Sequence, residues 1–145
     1  MVEERTAEAL DTYVSLLRAG RAVLTRVEPR LASAGLTLTQ FHVLEAILRD
    51  GALSQRDLAR KVLTSAGNMT DLCDKLEARG LIRRTRQERD RRAVLVELTP
   101  KGHALIGPLY TAHVGDVAAA MGGLSGDELH RLGDLLRKLG LSVAG

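Results

Sequence analysis

The stretch from Thr64 to Gly102, TSAGNMTDLCDKLEARGLIRRTRQERDRRAVLVELTPKG, limits the folds open to this chain more than any other segment. Its first part, Ser65 to Arg79, is expected to be a helix. Met69, Leu72, Cys73 and Leu76 fall on one arc of about 100° at the helical repeat. The opposite arc carries Gly67, Thr70, Asp71, Asp74 and Ala78, with Lys75 beside it. Gly80 ends the helix, and Leu81-Ile82 starts a strand. A second strand is expected over Ala93 to Leu98, with Val94, Val96 and Leu98 on one face. The intervening RTRQERDRR is too charged to pack and should project as a hairpin loop. Seven arginines lie between Arg79 and Arg92.

Upstream, the spacing predicts three more helices. Residues 7–34 repeat leucine every seven positions, at Leu10, Leu17, Leu24 and Leu31, with Tyr13, Gly20, Val27 and Ala34 between them. A seam of about four heptads suits another helix, including one from a partner subunit, or the core of its own domain. Pro29 deletes one backbone donor, so a kink or break is expected near Glu28, and Gly35 closes the helix. Thr37 or Thr39 can cap the next helix, which carries Phe41, Leu44, Ile47 and Leu48. Residues 51–53 are long enough only for a β-bridge. Ser54 caps a third helix, with Leu58, Ala59 and Val62 inward. A turn at Val62–Thr64 then leads to a helix starting at Thr64 or Ser65, giving helix-turn-helix spacing.

Downstream, Thr99-Pro100 supplies a cap and a proline at the first helical position. Gly107-Pro108 should bend that helix, and Gly122-Gly123 should end it. Ser125 and Glu128 form a capping box for a last helix with Leu129, Leu132, Leu135, Leu136 and Leu139. The fold class is therefore mainly α with a small antiparallel β wing: a winged helix-turn-helix over about residues 39–99, flanked by terminal helices over about 7–34 and 103–140. At 145 residues, one domain is expected.

Charge distribution points to the partner. Residues 79–92 carry a local +5, which leaves 14 basic and 16 acidic side chains elsewhere. A basic tip on a mildly acidic body fits a polyanion, and the exclusive use of arginine there favours nucleic acid. Aromatic residues are only Tyr13, Phe41 and Tyr110. Stacking platforms for single strands need more, so the expected partner is double-stranded DNA. The single cysteine, Cys73, rules out an intramolecular disulfide and a cysteine-based metal cluster. The acidic N-terminus lacks an apolar signal segment. No apolar run approaches the roughly 18 residues of a membrane span, so a cytoplasmic protein with no membrane partner is expected.

Three stretches resemble the MarR family of bacterial transcriptional regulators. LTLTQFHVLEAIL (36–48) is similar to the family's second helix. LTSAGNMTDLCDKLEARGLIRR (63–84) resembles its recognition helix and following strand. DRRAVLVELTPKG (90–102) matches the wing pattern D-x-R-x5-L-T-x-x-G at each fixed position. The resemblance implies a homodimer with interlocked terminal helices, a recognition helix in each major groove and a wing in the adjacent minor groove. It also implies that Arg92 enters the minor groove and that Asp90 shapes the wing. A narrow minor groove concentrates negative potential, which agrees with an inserted arginine.

The candidate DNA contacts are then Thr64, Ser65, Gly67, Asn68, Thr70 and Asp71 on the helix, and Arg84, Arg86, Arg89, Arg91 and Arg92 on the wing. Thr64 and Ser65 can equally serve as caps. Arg84, Arg86, Arg89 and Arg91 are expected on phosphates, giving affinity without sequence information. Asp71 departs from the basic or small residue common in the family. Either it accepts from a cytosine amino group, or the helix enters the groove by its first turn; the second is expected.

The resemblance further implies release from DNA by a small anionic or phenolic effector, with Arg18, Arg21, His42, Tyr110 and His113 as pocket candidates. No cofactor and no metal are expected, since His103 and His113 are ten apart and cannot share a metal on one helical face. Cys73 reads as a small buried hydrophobe. No nucleophile elbow, P-loop or cofactor fingerprint argues for an enzyme. Two alternatives stay open: a winged-helix protein-interaction module docking through Asp71 and Asp74, and a sequence-independent architectural DNA binder.

Overall fold

Hydroxyl side chains set where the helices of this chain begin. In the computed structural model, which describes residues 1–62, 64, 66–89 and 93–144, helix α1 spans Val2–Ser33 and α2 Leu38–Asp50. Thr37 Oγ1 accepts from the Gln40 N–H at 3.2 Å, and Gln40 Oε1 accepts from the Thr37 N–H at 3.0 Å. This reciprocal capping box selects Thr37 over Thr39. Strand β1 is Leu53–Ser54 and α3 is Gln55–Lys61. Ser54 Oγ accepts from the Asp57 N–H at 3.1 Å. Helix α4 runs Ala66–Ala78, β2 Ile82–Arg86, β3 Val94–Leu98, α5 Pro100–Ala120 and α6 Gly126–Ala144. Thr99 Oγ1 caps α5 by accepting from the Gly102 N–H at 3.0 Å. The Ser125–Glu128 box starts α6 as expected.

The chain forms two compact units, Met1–Val27 with Val114–Gly145, and Glu28–His113. The second unit holds α2, α3, α4 and a three-stranded antiparallel sheet in the order β1-β3-β2. Its core gathers Phe41, Leu44, Leu58, Met69, Cys73, Leu76, Val96 and Ile106, all essentially solvent-free. The inward arc of α4 is thus the expected one, with Leu72 only partly covered. Gly80, at φ 74°, makes the left-handed turn that ends α4 and admits β2.

In the first unit the α1 seam meets water. Leu10 is 60% exposed, Tyr13 57% and Leu17 54%, whereas further along the same stripe Val27, the last residue of this part of the helix, is buried, as is Leu31 in the second unit's part. On α6, Leu135, Leu136 and Leu139 are likewise exposed. An open, largely apolar groove of about 560 Å³ lies in this unit between α1 and the end of α6, against Tyr13, Leu16, Leu139 and Val143.

Three expectations change. Helix α1 begins at Val2 and continues through Pro29 without a break; one missing donor does not end a helix whose neighbouring turns stay bonded. Residues Leu53 and Ser54 form a two-residue strand on β3, pairing with Val96 and Leu95, in place of a bridge at 51–53. Finally, β2 extends to Arg86, into the segment read as loop. Main-chain pairing of Arg84 with Val96, Thr85 with Leu95 and Arg86 with Val94 needs no apolar side chain on β2. Among the described residues, no single helix is long and apolar enough to cross a membrane.

Candidate nucleic-acid interface

Packing of Met69, Cys73 and Leu76 into the core turns the other face of α4 outward. That face presents Gly67, Asn68, Thr70, Asp71, Asp74 and Lys75, all exposed. Thr64, half-buried, lies ahead of the helix, and its N–H donates to the Ala59 carbonyl at 3.0 Å. Gln55, the first residue of α3, reaches across the turn: its Nε2 donates to Thr70 Oγ1 at 2.9 Å. The first residue of α3 is therefore joined to the second turn of α4 by a polar contact, in addition to the packing of both helices in the core. Arg56, exposed beside Gln55, has no carboxylate partner among the described residues.

The hairpin of β2 and β3 carries the basic residues. Arg83 faces Glu97 directly across the strands, with its Nη2 2.6 Å from Glu97 Oε1. Arg86 and Arg89 are exposed toward the tip. Ser65, Asp90, Arg91 and Arg92 lie outside the described residues.

Arg84 has a different setting from the other wing arginines. Its Nη2 donates to Asp74 Oδ1 at 2.6 Å and to Glu77 Oε1 at 3.0 Å, and its Nε to the same Glu77 oxygen at 3.3 Å. The second oxygen of Glu77 accepts the Arg84 main-chain N–H at 2.9 Å. The Arg84 side chain is only 21% exposed. Burial works against its charge, but the hydrogen bonds it donates to Glu77 and Asp74 more than offset that cost and raise its pKa above the ordinary value. The Arg84 hydrogen bonds hold the Glu77 carboxyl below the usual range. Asp74, read from spacing as part of an acidic docking face, is thus engaged within the fold. Glu77 carried no expectation at all. The sole hint in the sequence was a glutamate and an arginine flanking the Gly80 turn.

The effector-pocket candidates divide between the two units. Arg18 and Arg21 are exposed on α1 in the first unit. His42, Tyr110 and His113 are half-buried in the second. There, the His113 ring lies 4.5 Å from that of Phe41, and His42 lies 6.0 Å from it on the neighbouring position. Tyr110 packs against the same core. Among the described residues no group of histidine, cysteine and carboxylate side chains could hold a metal ion. Cys73 is fully buried, its Sγ 3.7 Å from Met69 Sδ, and burial pushes its thiol up to about 11.

Comparison with known proteins places this geometry. The sequence model of the MarR family matches residues 36–94. The HTH-type transcriptional regulator YkoM of Bacillus subtilis, itself uncharacterized, is 32% identical over 139 residues, covering 96% of this chain and 90% of the relative. The structure of BpsR from Bordetella bronchiseptica, described with regulation of its DNA binding by 6-hydroxynicotinic acid, is 31% identical. It superposes with a TM-score of 0.78 over 86% of this chain and 89% of that one. AbsC from Streptomyces coelicolor, a MarR family regulator, shares the fold at a TM-score of 0.87 and 22% identity, with 94% of each chain covered.

Proposed function

This chain belongs to the MarR family of helix-turn-helix transcriptional regulators, and we propose from that premise that it binds a palindromic operator as a homodimer, represses, and is released by a small-molecule effector. The observation that carries DNA recognition is the pairing of an outward polar face on α4 with a hairpin bearing exposed Arg86 and Arg89. On this reading Asn68, Thr70 and the residues before them meet base edges and phosphates. Arg86, Arg89 and Arg91 contact phosphates, and Arg92 enters the minor groove. Arg56, at the start of the first helix of the pair, joins the phosphate contacts, since that helix crosses the backbone in this motif. Asp71 stays at the groove's margin, the helix entering by its first turn.

Homodimerisation is supported by the bare apolar stripe of Leu10, Tyr13 and Leu17 and by Leu135 and Leu139 on α6. Surface of this kind is worth about 25 cal/mol per Å² when covered. A second copy supplies a matching stripe under two-fold symmetry. The effector would be anionic or phenolic, as the regulation of BpsR by 6-hydroxynicotinic acid suggests, with Arg18, Arg21, His42, Tyr110 and His113 as the residues to probe. Docking of a protein partner through Asp71 and Asp74 loses support, because Asp74 holds Arg84.

The test is selection of a duplex from a random-sequence library, followed by titration of that duplex against salt. Binding should weaken steeply, log K falling by about 0.9 per log unit of salt for each phosphate contact. Arg92→Ala should weaken binding; unchanged affinity would remove the wing from the mechanism. Equal affinity for selected and random duplexes would mark an architectural binder instead. Thermal-shift screening of small aromatic acids and phenols, scored against loss of DNA binding, would identify the effector.

A further inference from the structure

We propose that Arg84 is a positioning residue, not a phosphate contact: clasped by Glu77 and Asp74, it locks the wing to the recognition helix so that both meet DNA as one rigid body. The inference rests on the DNA-binding reading above and adds a role to it. Strand β2 lies at the edge of the sheet order β1-β3-β2. An edge strand leaves main-chain donors unpaired. Glu77, on the outgoing turn of α4, satisfies one of them, the Arg84 N–H, with one carboxylate oxygen. With the other it takes both Nε and Nη2 of the same residue. Asp74, one turn earlier on α4, also accepts from Nη2.

Four charge-assisted hydrogen bonds therefore run from a single helix face to a single strand residue. Such a fork fixes orientation as well as distance, because the guanidinium is planar and its donors are fixed. An arginine so engaged has little to offer a phosphate. The pivot matters because β2 leads directly to Arg86 and Arg89, and any rotation about it moves them relative to Asn68 and Thr70.

The clasp makes a prediction opposite in sign to simple electrostatics. Removing an acid beside a DNA-binding face should tighten binding if charge alone matters. The clasp predicts that Glu77→Ala weakens binding to the library-selected duplex by about tenfold. Arg84→Ala should do the same with the salt slope unchanged. The double variant should be no weaker than the worse single variant, because both remove one device. In the free protein, amide hydrogen exchange over Arg83–Arg86 should quicken in each variant.

Tighter binding by Glu77→Ala would overturn the proposal. A salt slope reduced by about one in Arg84→Ala would do so too, since that is the mark of a lost phosphate contact. If Arg84→Ala does not fold, Glu77→Gln carries the same test: it removes the charge but keeps an acceptor for the N–H. It should weaken binding less than Glu77→Ala, and tightening would refute the clasp. If the wild-type protein selects no duplex, the DNA-binding reading fails by itself. The exchange measurement then still decides whether the clasp holds the hairpin.

Discussion

Arg79 donates from Nη1 to the main-chain carbonyl of Gly35 at 2.7 Å and from Nη2 to that of Ala34 at 3.3 Å. The guanidinium at the end of α4 thereby satisfies carbonyls left over where α1 stops. Lys101 Nζ, in the first turn of α5, donates in turn to the Arg79 carbonyl at 2.9 Å. The exit of the recognition helix is thus tied to the end of α1 and the start of α5, while Glu77 ties it to the wing.

Loss of this cap should be measurable. Arg79→Ala is expected to lower stability by about 1 kcal/mol, the usual worth of an exposed hydrogen-bonding arrangement of this kind. Arg79→Lys should recover part of that, since one ammonium reaches one carbonyl but has no fork. Urea denaturation with an unchanged m-value is the check.

Gly102 leaves no room for a side chain. A Cβ built there would run into the Leu81 carbonyl oxygen, a main-chain atom that also accepts from the Thr99 N–H. Gly102→Ala should therefore cost about 2 kcal/mol or more by overpacking. The loss appears as a lowered Tm, together with weaker DNA binding, because the same contact holds the base of the wing against α5.

Cys73 should be inert in the folded protein. Burial raises its thiol from the ordinary 9.0 to about 11. A thiol-reactive dye at pH 8 should label the chain only after denaturant is added. The sign of the pH effect follows. Below pH 9 both states hold the proton and the thiol contributes nothing to pH dependence. From about 9 to 11 the unfolded state releases its proton first, so stability falls as pH rises. Cys73→Ala should flatten that fall. Rapid labelling of the native protein would refute the buried reading.

Charge placed in the exposed seam should separate the subunits. Leu139→Glu puts a carboxylate into the groove shared with Tyr13 and Leu16. Sedimentation should give a dimer for the wild type and a monomer for the variant at micromolar concentration, with DNA affinity lost in parallel. The helical circular dichroism should remain. A wild-type monomer would end the two-fold account of operator binding.

Much of the fold could be read along the chain because helix ends depend on neighbours three residues away. Thr37, Ser54, Thr99 and Ser125 each begin a helix through an i to i+3 hydrogen bond, and such bonds are visible in the order of residues. The inward arc of α4 was equally legible, since burial follows the helical repeat. Charge was not. An arginine in a basic stretch can face a phosphate or a carboxylate, and the choice for Arg84 depends on where the Gly80 turn lays β2 against α4. The same holds for Arg79, whose carbonyl partners lie 44 and 45 residues earlier. The extension of β2 to Arg86 comes from pairing with β3, which composition opposes. Periodicity laid out the α1 seam as one stripe. Packing decided that Leu31 joins a core while Leu10 and Tyr13 stay bare. Contacts made across a few residues are written in the chain; contacts closed across a turn or a sheet exist only once the backbone has brought distant residues together.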